Sequence, residues 1–243
     1  MKVGIIGGNG VAATNRLCDM VERKITAAGA FRDAHHPEMI VWQATPVPSR
    51  SMFLEGKGPD WRPEYVRIAK TLKGLGCDFG CMCCNTAHYA LGEIEESSRL
   101  PFVNLLGEVA LKARGTGNGK FELFCSDGAR KFDLYGKAFR TFFPGVGIVY
   151  ASEDRQRLVT KVICDVKNRQ RFLPPGDADS PHRLLVQLIE QADCPVILGC
   201  TDLRVAFEPG EELPEAVAVD SLEALADAIV KRFQEDKLAH EAG

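Results

Sequence analysis

Short apolar runs alternate along this chain with stretches whose apolar residues recur every three to four positions. These are the periods of buried strands and amphipathic helices. Val3 to Ile6 predicts a strand ended by Gly7-Gly8-Asn9-Gly10, and Leu17, Met20, Val21 and Ile25 then share one helical face. Met39 to Ala44 predicts a second strand. Thr45-Pro46-Val47-Pro48-Ser49-Arg50 predicts an extended loop, because proline turns its predecessor away from helix. Tyr65, Ile68, Ala69 and Leu72 mark a helix closed by Gly74 and Gly76. Phe79 to Cys84 predicts the third strand, Ala87, Ala90, Leu91 and Ile94 the next helix, and Pro101 to Leu106 a fourth strand.

The pattern then restarts. Strands are predicted at 121–125, 147–150, 196–198 and 216–219, with helices over 129–142, 153–167, 183–191 and 222–233. Pro174-Pro175-Gly176-Asp177 reads as a surface turn, and Gly115-Thr116-Gly117-Asn118-Gly119 as a linker. Strands alternating with helices predict an α/β fold with largely parallel sheets. We place one domain over residues 1–106, completed by a C-terminal helix within 221–243, and a second over residues 107–220.

Composition narrows the partners. A formal net charge of −3 with scattered charges gives no basis for nucleic-acid or membrane binding. No apolar run approaches the ~20 residues that span a bilayer, and the glycine-broken start does not read as a signal peptide. Nine cysteines, an odd number, fit the reducing cytoplasm better than a disulfide framework.

Two of those cysteines stand out. Cys81-Met82-Cys83-Cys84-Asn85-Thr86-Ala87-His88 and Val196-Ile197-Leu198-Gly199-Cys200-Thr201-Asp202 have the same order: apolar strand, cysteine, threonine, turn. Ligands of open α/β sheets bind at the carboxyl ends of strands, where helix N-termini present free N–H groups to an anion. A thiol held there is a candidate acid or base. For either cysteine alone, a capped strand end is the plain alternative; the matched pair favours one acid and one base around a common substrate. Cys81 and Cys83 share a strand face and are expected in the core. A zinc set drawn from Cys81, Cys83, Cys84 and His88 lacks a Cys-x-x-Cys knuckle, so no metal is expected. Gly8-Asn9-Gly10-Val11-Ala12-Ala13 satisfies a dinucleotide-binding fingerprint, but the second strand runs into Gln43-Ala44-Thr45 without the acidic residue that holds ribose. The loop is therefore read as lining a cleft, with Asn9 facing a small ligand.

Cys84-Asn85-Thr86-Ala87-His88, the N-terminal glycine turn and Gly199-Cys200-Thr201, in that order, resemble the aspartate/glutamate racemase family over essentially the whole chain. The resemblance implies two similar parallel-sheet α/β domains related by a pseudo-two-fold axis, with the active site in the cleft between them. It implies a homodimer and racemisation of a free amino acid, aspartate- or glutamate-like, without pyridoxal phosphate or any other cofactor. By position Cys84 and Cys200 match the two catalytic cysteines. Arg50 and Lys167 match side-chain carboxylate ligands, Asn9, Asn85, Thr86, Ser126 and Thr201 line the substrate site, and His88 and Asp202 orient or tune the thiols. The sequence departs from the family at Asp202, where glutamate is usual, at Asn9 in the glycine turn, and at Cys125-Ser126, where Gly-Thr is usual. A hydantoin racemase, a maleate isomerase and a catalytically silent ligand-binding protein are the competing readings.

Overall fold

The computed structural model describes residues 1–241; the last two residues of the expected segment 221–243 lie outside the described residues. In the first half, β1 (Lys2–Gly7), β2 (Glu38–Gln43) and β3 (Phe79–Met82) form a parallel sheet in the order β2-β1-β3. In the second, β4 (Lys120–Phe124), β5 (Gly147–Tyr150), β6 (Val196–Leu198) and β7 (Val217–Asp220) form a parallel sheet in the order β5-β4-β6-β7. The order β2-β1-β3 therefore recurs as β5-β4-β6. This is the expected α/β fold of two parallel sheets.

Helices connect these strands. They are α1 (Val11–Ala27), α2 (Arg50–Glu55), α3 (Arg62–Gly74), α4 (Leu91–Ser98), α5 (Leu105–Gly115), α6 (Asp127–Lys131), α7 (Leu134–Phe142), α8 (Glu153–Asp165), α9 (Pro181–Glu190) and α10 (Ser221–Glu241). A five-residue 3₁₀ segment, Thr86–Ala90, leads into α4. Helix α10 packs on α1 and α5, so one apolar core runs from Val3 and Ile5 through Leu225 and Ile229 to Phe121 and Ile197. A second core lies under α3, around Ile6, Trp61, Tyr65 and Ile68.

Three expectations are corrected. The strand expected over 101–106 is a single bridge, Gly80 to Phe102. Pro101 has no N–H for a ladder, and Asn104 accepts the Gly107 N–H at 3.1 Å to cap α5 instead. Residue 106 thus lies in the first turn of a helix absent from the sequence reading. The helix expected over 129–142 is two, α6 and α7, broken where Asp133 takes φ +48°. Its carboxylate accepts the Tyr150 hydroxyl at 2.7 Å and pairs with Arg140 at 2.9 Å, contacts that hold an aspartate in the left-handed region. The loop expected to extend through Arg50 gives way to α2, whose first turn is capped by Ser49 accepting the Met52 N–H at 3.3 Å.

Candidate active site

The recurring strand order puts equivalent turns beside each other. The chain leaves β1 at Asn9, β3 at Cys84, β4 at Ser126 and β6 at Cys200, and all four residues line one cavity of about 450 Å³. Both cysteines are partly exposed. Cys84 follows β3 as Cys200 follows β6, its counterpart in the recurring order, so the two thiols approach the cavity from opposite sheets. Gly199 makes the second turn possible: a Cβ there would lie 2.6 Å from Leu123 Cδ1 and 3.1 Å from the Phe124 carbonyl.

Hydrogen bonds tie the two halves together across the cavity floor. Asn85 Oδ1 accepts the Thr201 N–H at 3.0 Å and the Ser221 hydroxyl at 3.5 Å, while its Nδ2 donates to the Tyr135 hydroxyl. The Thr201 hydroxyl donates to the Cys83 carbonyl at 3.3 Å. Thr86 and Ser126 share a hydrogen bond of 2.7 Å, and Ser126 also caps α6 by accepting the Ala129 N–H. Asn85 and Thr201 are thus held by protein partners and set the position of the adjacent cysteines. The N–H groups of Cys84, Asn85 and Cys200 have no partner among the described residues, which leaves donors at both strand ends.

Charge is distributed unevenly in the cleft. Lys167 Nζ lies 2.8 Å from Asp202 Oδ2 and donates to the Asn9 carbonyl at 3.1 Å. Burial works against the Lys167 ammonium, but Asp202 beside it outweighs that and raises its pKa. Burial likewise raises Asp202, against the opposing pull of Lys167. The other Asp202 oxygen packs on Gly10, where a Cβ would come within 1.8 Å of it. The second glycine of the dinucleotide-like loop therefore admits a carboxylate of this chain. Arg50 donates to the Val47 and Pro48 carbonyls at 3.2 and 2.7 Å through Nη1 alone; its buried Nε has no partner among the described residues. Asn9 Nδ2 donates to the Tyr65 hydroxyl, and its Oδ1 is buried without a partner. Burial pushes the Cys200 thiol up and Asp202 adds to the effect; Lys167 opposes it.

His88 lies outside the cavity lining. The Leu105 N–H donates to its Nε2 at 3.1 Å, so Nδ1 carries the proton and donates to the Cys84 carbonyl at 2.9 Å. Burial lowers its pKa and keeps the ring neutral. The ring braces the Cys84 backbone and leaves no nitrogen for the sulfur. Cys81 and Cys83 are buried in the core, where burial raises their thiols. Among the described residues no three His, Cys, Asp or Glu side chains cluster as a metal site requires, and no helix is long and apolar enough to cross a membrane. The cleft also contains Ser51, Asp127, Thr160 and Cys164, which the sequence reading missed. Asp127 follows Ser126 directly, so its neighbour was the available signal. Thr160 and Cys164 are one turn apart on α8, and no local pattern marks that face.

The model of the Asp/Glu/Hydantoin racemase family matches residues 5–229. The broad specificity amino-acid racemase of Bacillus subtilis is 23% identical over 236 residues, covering 95% of this chain and 97% of that protein. Among solved structures, the Picrophilus torridus aspartate racemase superposes with a TM-score of 0.77 at 23% identity, covering 96% of this chain and 94% of that one. The glutamate racemase RacE1 of Bacillus anthracis gives 0.67 at 17% identity, covering 96% and 82% respectively.

Proposed function

The chain belongs to the Asp/Glu/hydantoin racemase family, and from that premise we propose that it is an amino-acid racemase using Cys84 and Cys200 as its two proton carriers. One observation carries the proposal: equivalent strand ends of two sheets deliver one cysteine each to one cavity. Inversion at Cα requires a base on one face and an acid on the other. One of the two cysteines, as thiolate, removes the α-proton while the other, as thiol, delivers a proton to the opposite face. The opposite enantiomer exchanges these roles. The developing charge is delocalised into the α-carboxylate, which the free N–H groups of Cys84, Asn85 and Cys200 and the Thr86 hydroxyl are placed to hold. Asn85, Thr201 and His88 keep those groups in position.

The substrate reading is an amino acid with an anionic side chain, met by Arg50 and Lys167 in the same cavity. Arg50 carries more of this contact, because the Lys167 charge is already shared with Asp202. Asn9 and Ser126 complete the wall around the substrate.

Incubation with single amino-acid enantiomers in deuterated water tests the reading. Deuterium should enter at Cα as the optical rotation decays. Cys84→Ala and Cys200→Ala should each lose inversion by roughly 10²-fold or more, the usual contribution of a positioned proton carrier. A single variant that racemises at the wild-type rate would refute the two-cysteine assignment.

A further inference from the structure

Between α1 and residues 169–175 is a cavity of about 280 Å³ that shares no lining residue with the cleft. Arg16, on α1, forms one wall and is only 7% exposed. Its Nη2 donates to the Phe207 carbonyl at 3.1 Å, and its Nη1 is fully buried without a hydrogen-bond partner. Arg171 forms the opposite wall. Among the described residues, neither guanidinium has a carboxylate within ion-pair distance. A buried cation left unpaired is costly. Arg204, close by, adds to the positive field on Arg16, and burial with that field lowers the Arg16 pKa. Apart from Glu208, the other lining residues are apolar, among them Phe172, which is 79% exposed, Pro174 and Phe207.

We propose that this cavity is a second ligand site, binding a small organic oxyanion, a carboxylate or phosphate ester with an apolar body, between α1 and residues 169–175. The two guanidiniums supply donors in the planar geometry that carboxylate and phosphate oxygens match. The ligand's charge offsets the unpaired Arg16 guanidinium in the cavity wall, and its apolar part packs beside the Phe172 ring, which the Arg171 guanidinium already overlies. Glu208, an exposed residue, also lines the cavity, and its charge, which acts on Arg16, opposes the anion. It sets the sign of a control.

Calorimetric titration of the full chain with inorganic phosphate, and separately with phenylacetate, tests this. Each should bind saturably at one site, phenylacetate more tightly because its ring reaches Phe172, and added salt should weaken both. Arg171→Ala, which alters a half-buried side chain without an ion pair, should reduce binding about ten-fold or more. Arg16→Gln should do the same, and Glu208→Gln should strengthen binding. Cys84→Ala should leave it unchanged. Binding that survives both arginine substitutions, that disappears in Cys84→Ala, or that never saturates would overturn the proposal.

Discussion

At the scale of single residues, the cleft separates groups that act from groups that hold them. Asn85 and Thr201 resemble substrate ligands in sequence, yet their polar atoms are engaged with Ser221, Tyr135, Cys83 and each other. Arg50 and Lys167 resemble an equivalent pair, yet only Arg50 retains unpaired donors. Arg50→Ala should therefore weaken an acidic substrate by roughly 1.5–3 kcal/mol, the range for a hydrogen bond to a charged group. Lys167→Ala should weaken it less, because that change also frees Asp202. Michaelis constants for acidic and neutral amino acids would decide the matter; equal losses in both variants would remove the argument from Asp202. Alkylation needs care as well, since Cys164 is exposed and lines the same cleft. In a Cys164→Ser background, iodoacetamide should still inactivate, and bound substrate should protect; inactivation that vanishes with Cys164 would leave the two inner cysteines unsupported. Which residues line the site was largely legible, because cysteine, asparagine and threonine at strand ends carry a local signature. Which of them keep free donors was not, because that depends on partners up to 136 positions away.

Among the elements, strands and long helices were legible from period and turn residues, whereas short helices set by a cap were not. Helix α5 shows why. Leu105, Leu106, Val109, Ala110 and Ala113 are buried at helical spacing, but the first two also end an apolar run after Pro101 and so read as strand. The Asn104 cap decides between the two, and a cap shows its effect only once its partner N–H is in place. The glycine loop was similarly ambiguous. Its spacing matched nucleotide binding, and the structure gives Gly10 another role, close contact with the Asp202 carboxylate of a turn 192 positions away. Gly10 has φ −147°, open to any residue, so Gly10→Ala should act by that contact alone. It should displace Asp202, loosen the Lys167 pair and lower stability. In Gly10→Ala/Asp202→Ala the clash is gone, so the two changes should be non-additive, with a coupling of about 1 kcal/mol or more in a denaturant-unfolding cycle. Strict additivity would show that the contact carries no energy.

The whole molecule is two sheets joined by α10, which leaves β7 and returns to α1. At that junction Asp220 is only 2% exposed. Its Oδ1 accepts the Leu222 N–H at 2.9 Å, and among the described residues Oδ2 has only Arg204, 3.6 Å away. Burial pushes its pKa up to about 6, against the pull of Leu222 and Arg204. The folded protein thus binds this proton more tightly than the unfolded chain, where an aspartate titrates near ~3.9. Stability from this group is complete below the unfolded pKa and is lost as the pH rises through about 6. Carboxylates such as Asp227, lowered despite burial by its hydrogen bonds to Lys112 and Lys24, and Glu211, lowered despite burial first by the Glu208 N–H, act in the opposite sense and lose their contribution as the pH falls. The wild-type curve sums both. Subtracting Asp220→Asn isolates the single group, since asparagine keeps an acceptor for Leu222 and does not ionise. Urea unfolding from pH 3.5 to 7.5 should show the wild type losing on the order of 3 kcal/mol relative to Asp220→Asn as pH rises, most of it between about 4 and 6.5. A difference that stays flat across that window would mean Asp220 titrates alike in the folded and unfolded chain, with Leu222 and Arg204 fully compensating its burial.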